Sequence, residues 1–196
     1  MRSGKRQAAL ALALVLCLLL AGCSGREDEG AGPQQAYQSR AGFTARVELT
    51  GQLDAAAAVY TVEYVWSRQG EDTQTIVAPE AVAGVTMTLS DGEEGARIRY
   101  AGTELETAMP RRPGLTPADG IYALMETLVN DYPVSRGEET WQDTPVTRLS
   151  YRGERDGGEI GYEVLLEEDG ALRYAEVYWD GACVLQMAVE EFQWTQ

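Results

Sequence analysis

No histidine occurs among the 196 residues. The commonest general base and transition-metal ligand is therefore missing, and Ser-His-Asp or Cys-His nucleophile sites are excluded. Lysine is nearly as scarce, with Lys5 the only one. There is no Gly-x-Ser-x-Gly elbow, phosphate-binding glycine loop or zinc-type cysteine spacing. Acid pairs such as Glu93-Glu94, Glu138-Glu139 and Glu167-Glu168 are adjacent in sequence. Neighbours on a strand point to opposite faces, so these pairs do not build a cooperating acid and base. The chain reads as a non-enzyme that needs no cofactor and holds no metal. The apolar run Ala8 to Leu20 has thirteen residues, short of the ~20 that a spanning helix needs.

That run is informative in another way. Arg2, Lys5 and Arg6 precede it, and the small residues Ala21 and Gly22 follow. A basic start, an apolar centre of this length and small residues before a cut are the marks of an export signal. The next residue is Cys23, and Leu20-Ala21-Gly22-Cys23 resembles the lipobox of bacterial lipoproteins. The resemblance implies diacylglycerol on the Cys23 thiol and cleavage that leaves Cys23 first in the mature chain. Two acyl chains hold a protein on a membrane where one does not. Residues 1–22 are then the signal peptide, and residues 23–33 are the lipidated cysteine and a tether. Between Ser24 and Pro33 lie Arg26, Glu27, Asp28, Glu29 and three glycines. Such a stretch has little to bury and is repelled by an anionic membrane surface. The predicted location is the cell membrane, lipid-anchored on the extracytoplasmic face.

Without residues 1–22 the chain carries 13 arginines against 31 acids, a formal charge of 13 − 31 = −18. Phosphate binding needs clustered cations, so nucleic acid is excluded as a partner. Cys183 is the other mature cysteine. With Cys23 acylated it has no partner for a disulfide, and residues 34–196 must fold as one domain on their apolar core.

Pro33 to Ala41 suits a short helix. Period-two alternation starts at Phe43, with Phe43, Ala45, Val47 and Leu49 on one face. Tyr60, Val62, Tyr64 and Trp66 repeat it, followed by Thr73, Thr75 and Val77, then Val85, Met87 and Leu89, then Ile98 and Tyr100. Asp91-Gly92 and Ala101-Gly102 are turn signals. Thr116 suits an N-cap with Pro117 at the first helical position and Asp119 at the third. Ile121, Leu124, Met125, Leu128 and Val129 then form one helical stripe. A polar loop is predicted over 137–143. Strands resume with Thr147, Leu149 and Tyr151, then Ile160, Tyr162, Val164 and Leu166, then Leu172 to Trp179. In the last strand Cys183, Leu185, Met187 and Val189 share a phase that Phe192 and Trp194 leave. A bulge at Glu190-Glu191 is predicted there, and Cys183 reads as a small buried hydrophobe.

About ten strands, apolar on one face, and one or two helices predict a mainly β (α+β) fold. A strongly curved antiparallel sheet forms an unclosed half-barrel, and the helices cover its concave face. The order of elements resembles the periplasmic lipoprotein-carrier superfamily (LolA/LolB-like). The features that carry the resemblance are the short helix running into Phe43-Thr-Ala-Arg-Val-Glu-Leu and the Tyr/Trp-rich second strand. Ile76-Val-Ala-Pro79-Glu80-Ala-Val-Ala-Gly84, the Asp91-Gly92 hairpin, and Arg99-Tyr100-Ala-Gly102 before a helix complete the match. It implies an unclosed barrel with a helical lid and an apolar interior that binds acyl chains. This chain departs from the soluble carriers in having a lipobox, so a tethered protein would receive, present or sense a lipid rather than shuttle it.

Two function classes follow. In one, Tyr60, Val62, Tyr64, Trp66, Met87, Leu124, Met125 and Leu128 line a cavity for a lipid or other hydrophobic small molecule. In the other, the same residues are a filled core, and the anchored protein acts through its surface as an interaction or envelope-sensing module. Pattern alone does not separate a hollow interior from a packed one.

Overall fold

The computed structural model describes residues 32–53, 56–89, 95–108, 114–155 and 157–195. The predicted export signal, Cys23, most of the predicted tether and the predicted Asp91-Gly92 turn lie outside them. Eleven strands run β1 Gly42–Leu53, β2 Ala56–Ser67, β3 Asp72–Ala78, β4 Thr86–Leu89, β5 Gly95–Tyr100, β6 Thr103–Ala108, β7 Ser135–Trp141, β8 Thr144–Arg155, β9 Gly158–Leu166, β10 Leu172–Trp179 and β11 Ala182–Thr195. Helix α1 spans Gln35–Ser39 and α2 spans Gly120–Asn130. The strands form one antiparallel sheet in the order β6-β5-β4-β3-β2-β1-β11-β10-β9-β8-β7. The edge strands β6 and β7 do not pair with each other, so the sheet is an unclosed half-barrel with β1 and β11 at its middle.

The period-two patterns set the inner face. Phe43, Ala45, Val47 and Leu49 of β1, Val62, Tyr64 and Trp66 of β2, and Ile160, Tyr162, Val164 and Leu166 of β9 are all buried. The stripe of α2 meets them: Ile121, Leu124, Met125 and Leu128 belong to the same core cluster. Burying four such side chains is worth ~1.5–3 kcal/mol each. The helix lies close to the sheet, and Gly120 makes this possible. A Cβ there would run into the Leu185 side chain and stand 3.1 Å from Met187. Near the start of α1 the core becomes aromatic. Phe43 stacks on Phe192 with ring centres 4.6 Å apart, and Tyr37 meets Trp194 at 5.2 Å.

The predicted bulge in β11 is present. Arg46 faces Glu191 while Val47 faces Val189, leaving Glu190 without a partner. That extra residue returns Phe192 and Trp194 to the inner face, opposite Ala45 and Phe43. Three expectations are corrected. Residues 135–141 form edge strand β7 rather than a loop; both its faces are largely exposed, so it carries no apolar alternation. In β3 the inner phase belongs to Asp72, Gln74 and Ile76, because Gln74 faces Tyr64 and Ile76 faces Val62. A second irregularity in β11, between Leu185 and Cys183, pairs Cys183 with Tyr178 and places it outside the core, half-buried.

Candidate functional site

The inner face is not covered evenly. The stripe of helix α2 packs into the concavity over the middle of the sheet, in one core cluster with residues of β8 and β9. Over β2, β3 and β4 the helix gives way to its own N-terminal approach, Thr116 to Ala118. Between that approach and the sheet lies an apolar groove of about 270 Å³. Tyr60 and Val62 of β2, Gln74 and Ile76 of β3, and Met87 of β4 line it, with Val82 and Val85 from the connection between β3 and β4. Tyr60, Ile76, Val85 and Met87 are half-buried, which is how a cleft open to solvent differs from a core.

The wall formed by 116–118 is held in three ways. Asp119, 1% exposed, accepts from the Gly114 N–H at 2.5 Å, from the Thr116 N–H at 3.2 Å and from the Thr116 hydroxyl. Asp119 is the N-cap residue directly before α2, not the third helical residue predicted with Thr116 as cap, because 114–119 forms the turn that these bonds close. Second, Gln74 Nε2 donates to the Pro117 carbonyl at 3.0 Å, tying the wall to β3. Third, the Pro117 ring sits over Gly51 of β1, where a Cβ would stand 3.0 Å from Pro117 Cγ.

Of the eight lining residues read from the sequence, Tyr60, Val62 and Met87 meet in this groove. Tyr64, Trp66, Leu124, Met125 and Leu128 lie instead in the filled part. Tyr64 donates its hydroxyl to Asp72 at 2.5 Å. Burial, and then the Asp72 charge, push that phenol well above its ordinary value. Gln74, Ile76, Val82, Val85 and the 116–118 wall were not anticipated. Val85 was read as a strand residue in phase with Met87 and Leu89 without a lining role, while the threonines of β3 hid the inward phase of Gln74 and Ile76.

Elsewhere the concavity is polar. Beyond the C-terminal half of α2 a hollow of about 390 Å³ is lined by Thr127, Asp131, Arg155 and their neighbours on β8 and β9. Among the described residues no group of three or more Cys, Asp or Glu side chains is placed to hold a metal ion. None of the described helices is long and apolar enough to cross a membrane.

Neither a family model nor a curated protein matches the chain. Among solved structures, an uncharacterized conserved protein from Thermus thermophilus is similar, with a TM-score of 0.51 at 10% identity over 84% of each chain. The two share their fold. LprF from Mycobacterium bovis is similar at TM-score 0.46 and 9% identity, over 82% of this chain and 89% of that one. A LolA superfamily protein from Nitrosomonas europaea gives 0.44 and 9%, over 84% and 90%. At such identities the likeness concerns the fold alone.

Proposed function

We propose that this chain is a membrane-anchored, extracytoplasmic lipoprotein that binds a hydrophobic ligand in the groove over β2–β4 and catalyses no reaction on it. The observation that carries the reading is the groove itself. An apolar cleft with a few polar groups is the usual form of a small-molecule site, whereas the hollow beyond the C-terminal half of α2 is lined largely by polar and charged side chains. The basic start, apolar run and Leu20-Ala21-Gly22-Cys23 support the anchor. Cys23 would carry the acyl groups, and the acidic glycine-rich stretch after it would hold the domain off the bilayer.

The second reading, an anchored interaction or sensing module, draws on the filling of the larger part of the concavity by α2. The two readings part at the groove. The test is titration of residues 24–196 with an environment-sensitive acyl fluorophore, alongside Val85→Trp and Met87→Arg. Ligand binding predicts a saturable blue shift in the parent. Each variant should weaken it by about tenfold or more, a loss of at least ~1.4 kcal/mol, with the circular dichroism spectrum unchanged. An unsaturable signal, or equal binding by folded variants, would favour the interaction module.

A further inference from the structure

The chemistry of the groove narrows what it can hold, and this inference rests on the ligand-binding reading above. Its ten lining residues include no charged side chain. The arginines nearest along the sheet, Arg97 and Arg99 of β5, alternate with Ala96 and Ile98. Ala96 and Ile98 face Leu89 and Met87 across the ladder, so both arginines stand on the other face. There they are already paired, Arg97 with Glu71 and Arg99 with Glu104. An ionised carboxylate or phosphate entering the groove would lose water without gaining a cation, which is strongly unfavourable. It would also enter a chain of formal charge −15 as given, or −18 without the signal.

Gln74 is the one amide side chain among the lining residues. Tyr64, Gln74, Met87, Ile98 and Leu105 form a continuous cross-strand row from the core to the edge strand. Gln74 is its amide, and it is 3% exposed. A carbonyl only accepts, so the atom 3.0 Å from the Pro117 oxygen must be the NH₂ end. The Oε1 atom is thereby left as the acceptor. No hydrogen bond to Oε1 is formed among the described residues, and Gln74 lines the groove. An acceptor in an apolar cleft without positive charge selects a neutral donor.

We infer that the groove takes an uncharged, single-chain amphiphile with a hydroxyl head, and that Gln74 Oε1 accepts the hydroxyl proton. Gln74 is then a specificity residue as well as the tie to the 116–118 wall. The same row of Met87, Ile98 and Leu105 gives the chain of the ligand an apolar path towards the β6 edge.

The experiment compares decanol, decyl methyl ether and decanoate as competitors of the acyl fluorophore on residues 24–196, below their aggregation concentrations. The pH is held at about 8, where the carboxylate is ionised. The alcohol should bind about three- to tenfold tighter than the ether, the worth of one neutral hydrogen bond. Decanoate should bind at least about tenfold weaker than the alcohol. Gln74→Met should erase the alcohol-over-ether preference while retaining the preference for uncharged chains. Equal binding of alcohol and ether, tight binding of decanoate, or an unchanged preference in the folded variant would overturn the inference while leaving the groove a hydrophobic site. Should Gln74→Met fail to fold, the three-ligand comparison on the parent still decides. If no competitor displaces the fluorophore and the fluorophore itself does not bind, the ligand-binding reading falls, and this inference with it.

Discussion

At the scale of the residue, Asp119 shows how one buried carboxylate can shape a cleft. It gathers the Gly114 and Thr116 amides and the Thr116 hydroxyl, and so fixes the turn that becomes the groove wall. Removing it leaves at least one amide buried without an acceptor. Asp119→Ala should cost about 2–3 kcal/mol in urea unfolding and should weaken fluorophore binding as the wall loosens. A loss below about 0.5 kcal/mol would mean that the wall is held by other contacts. Thr-Pro-x-Asp made the approach to a helix legible but not its register: the cap is Asp119 rather than Thr116, and α2 starts at Gly120. Gln74 was not legible. Its inward phase depends on the register of β3 against β2, a long-range fact, and the threonines on either side gave the outward phase an equally good β pattern. The other misplaced residues share that cause. Tyr64 and Trp66 were read correctly as inward-facing. Whether an inward residue meets a helix or a void, however, depends on where α2 lies, which no alternation encodes.

At the scale of the element, the bulge in β11 was legible and β7 was not. The bulge announces itself because Leu185, Met187 and Val189 run in one phase and Phe192 and Trp194 in the other. Two apolar phases in one strand need an extra residue between them. Glu190 is that residue. Deleting it would turn Phe192 and Trp194 to the outer face, taking both rings from Phe43 and the Trp194 ring from Tyr37. Truncating a single large aromatic in a core costs ~3–5 kcal/mol. The deletion should therefore lower stability by at least about that much, measured by calorimetry or denaturant. A deletion that leaves Tm unchanged would show that the strand end contributes little to the core. Strand β7 escaped notice for two physical reasons. As an edge strand exposed on both faces, with Glu138 and Glu139 on opposite ones, it needs no apolar face, and charge on an edge discourages strand-to-strand association. Its turn to β8 is also made by Gln142 and Asp143, with φ of 46° and 64°. That is the backbone of a two-residue hairpin turn without the usual Asn-Gly or Asp-Gly signal.

At the scale of the whole molecule, the half-barrel combines a packed middle with an apolar cleft on one side and a polar hollow on the other, and several tyrosine hydroxyls are buried in it. Burial raises the phenols of Tyr37, Tyr64 and Tyr162 above their ordinary value of 10.0. A raised phenol favours the neutral form in the folded state. The stability it brings is complete below pH 10 and lost as pH climbs through the raised values. On the outer face, burial alone would raise Glu176. Hydrogen bonds from Tyr178, Tyr174 and Gln186 outweigh it and hold the carboxyl below its ordinary 4.5. A lowered carboxyl contributes above 4.5 and is lost as pH falls through its folded value. Tm should therefore be flat between about pH 5 and 10 and fall at both ends. Glu176→Gln should soften the acid limb while leaving the alkaline one in place. An acid limb that Glu176→Gln leaves untouched would assign acid unfolding to other carboxylates.

The most direct test of a ligand in the groove is native mass spectrometry of residues 24–196, secreted without the lipid anchor and purified without detergent. Ligand binding predicts a reproducible mass excess that solvent extraction identifies as an apolar compound, one that Val85→Trp abolishes. A clean apo mass that incubation with membrane lipids does not change would contradict it.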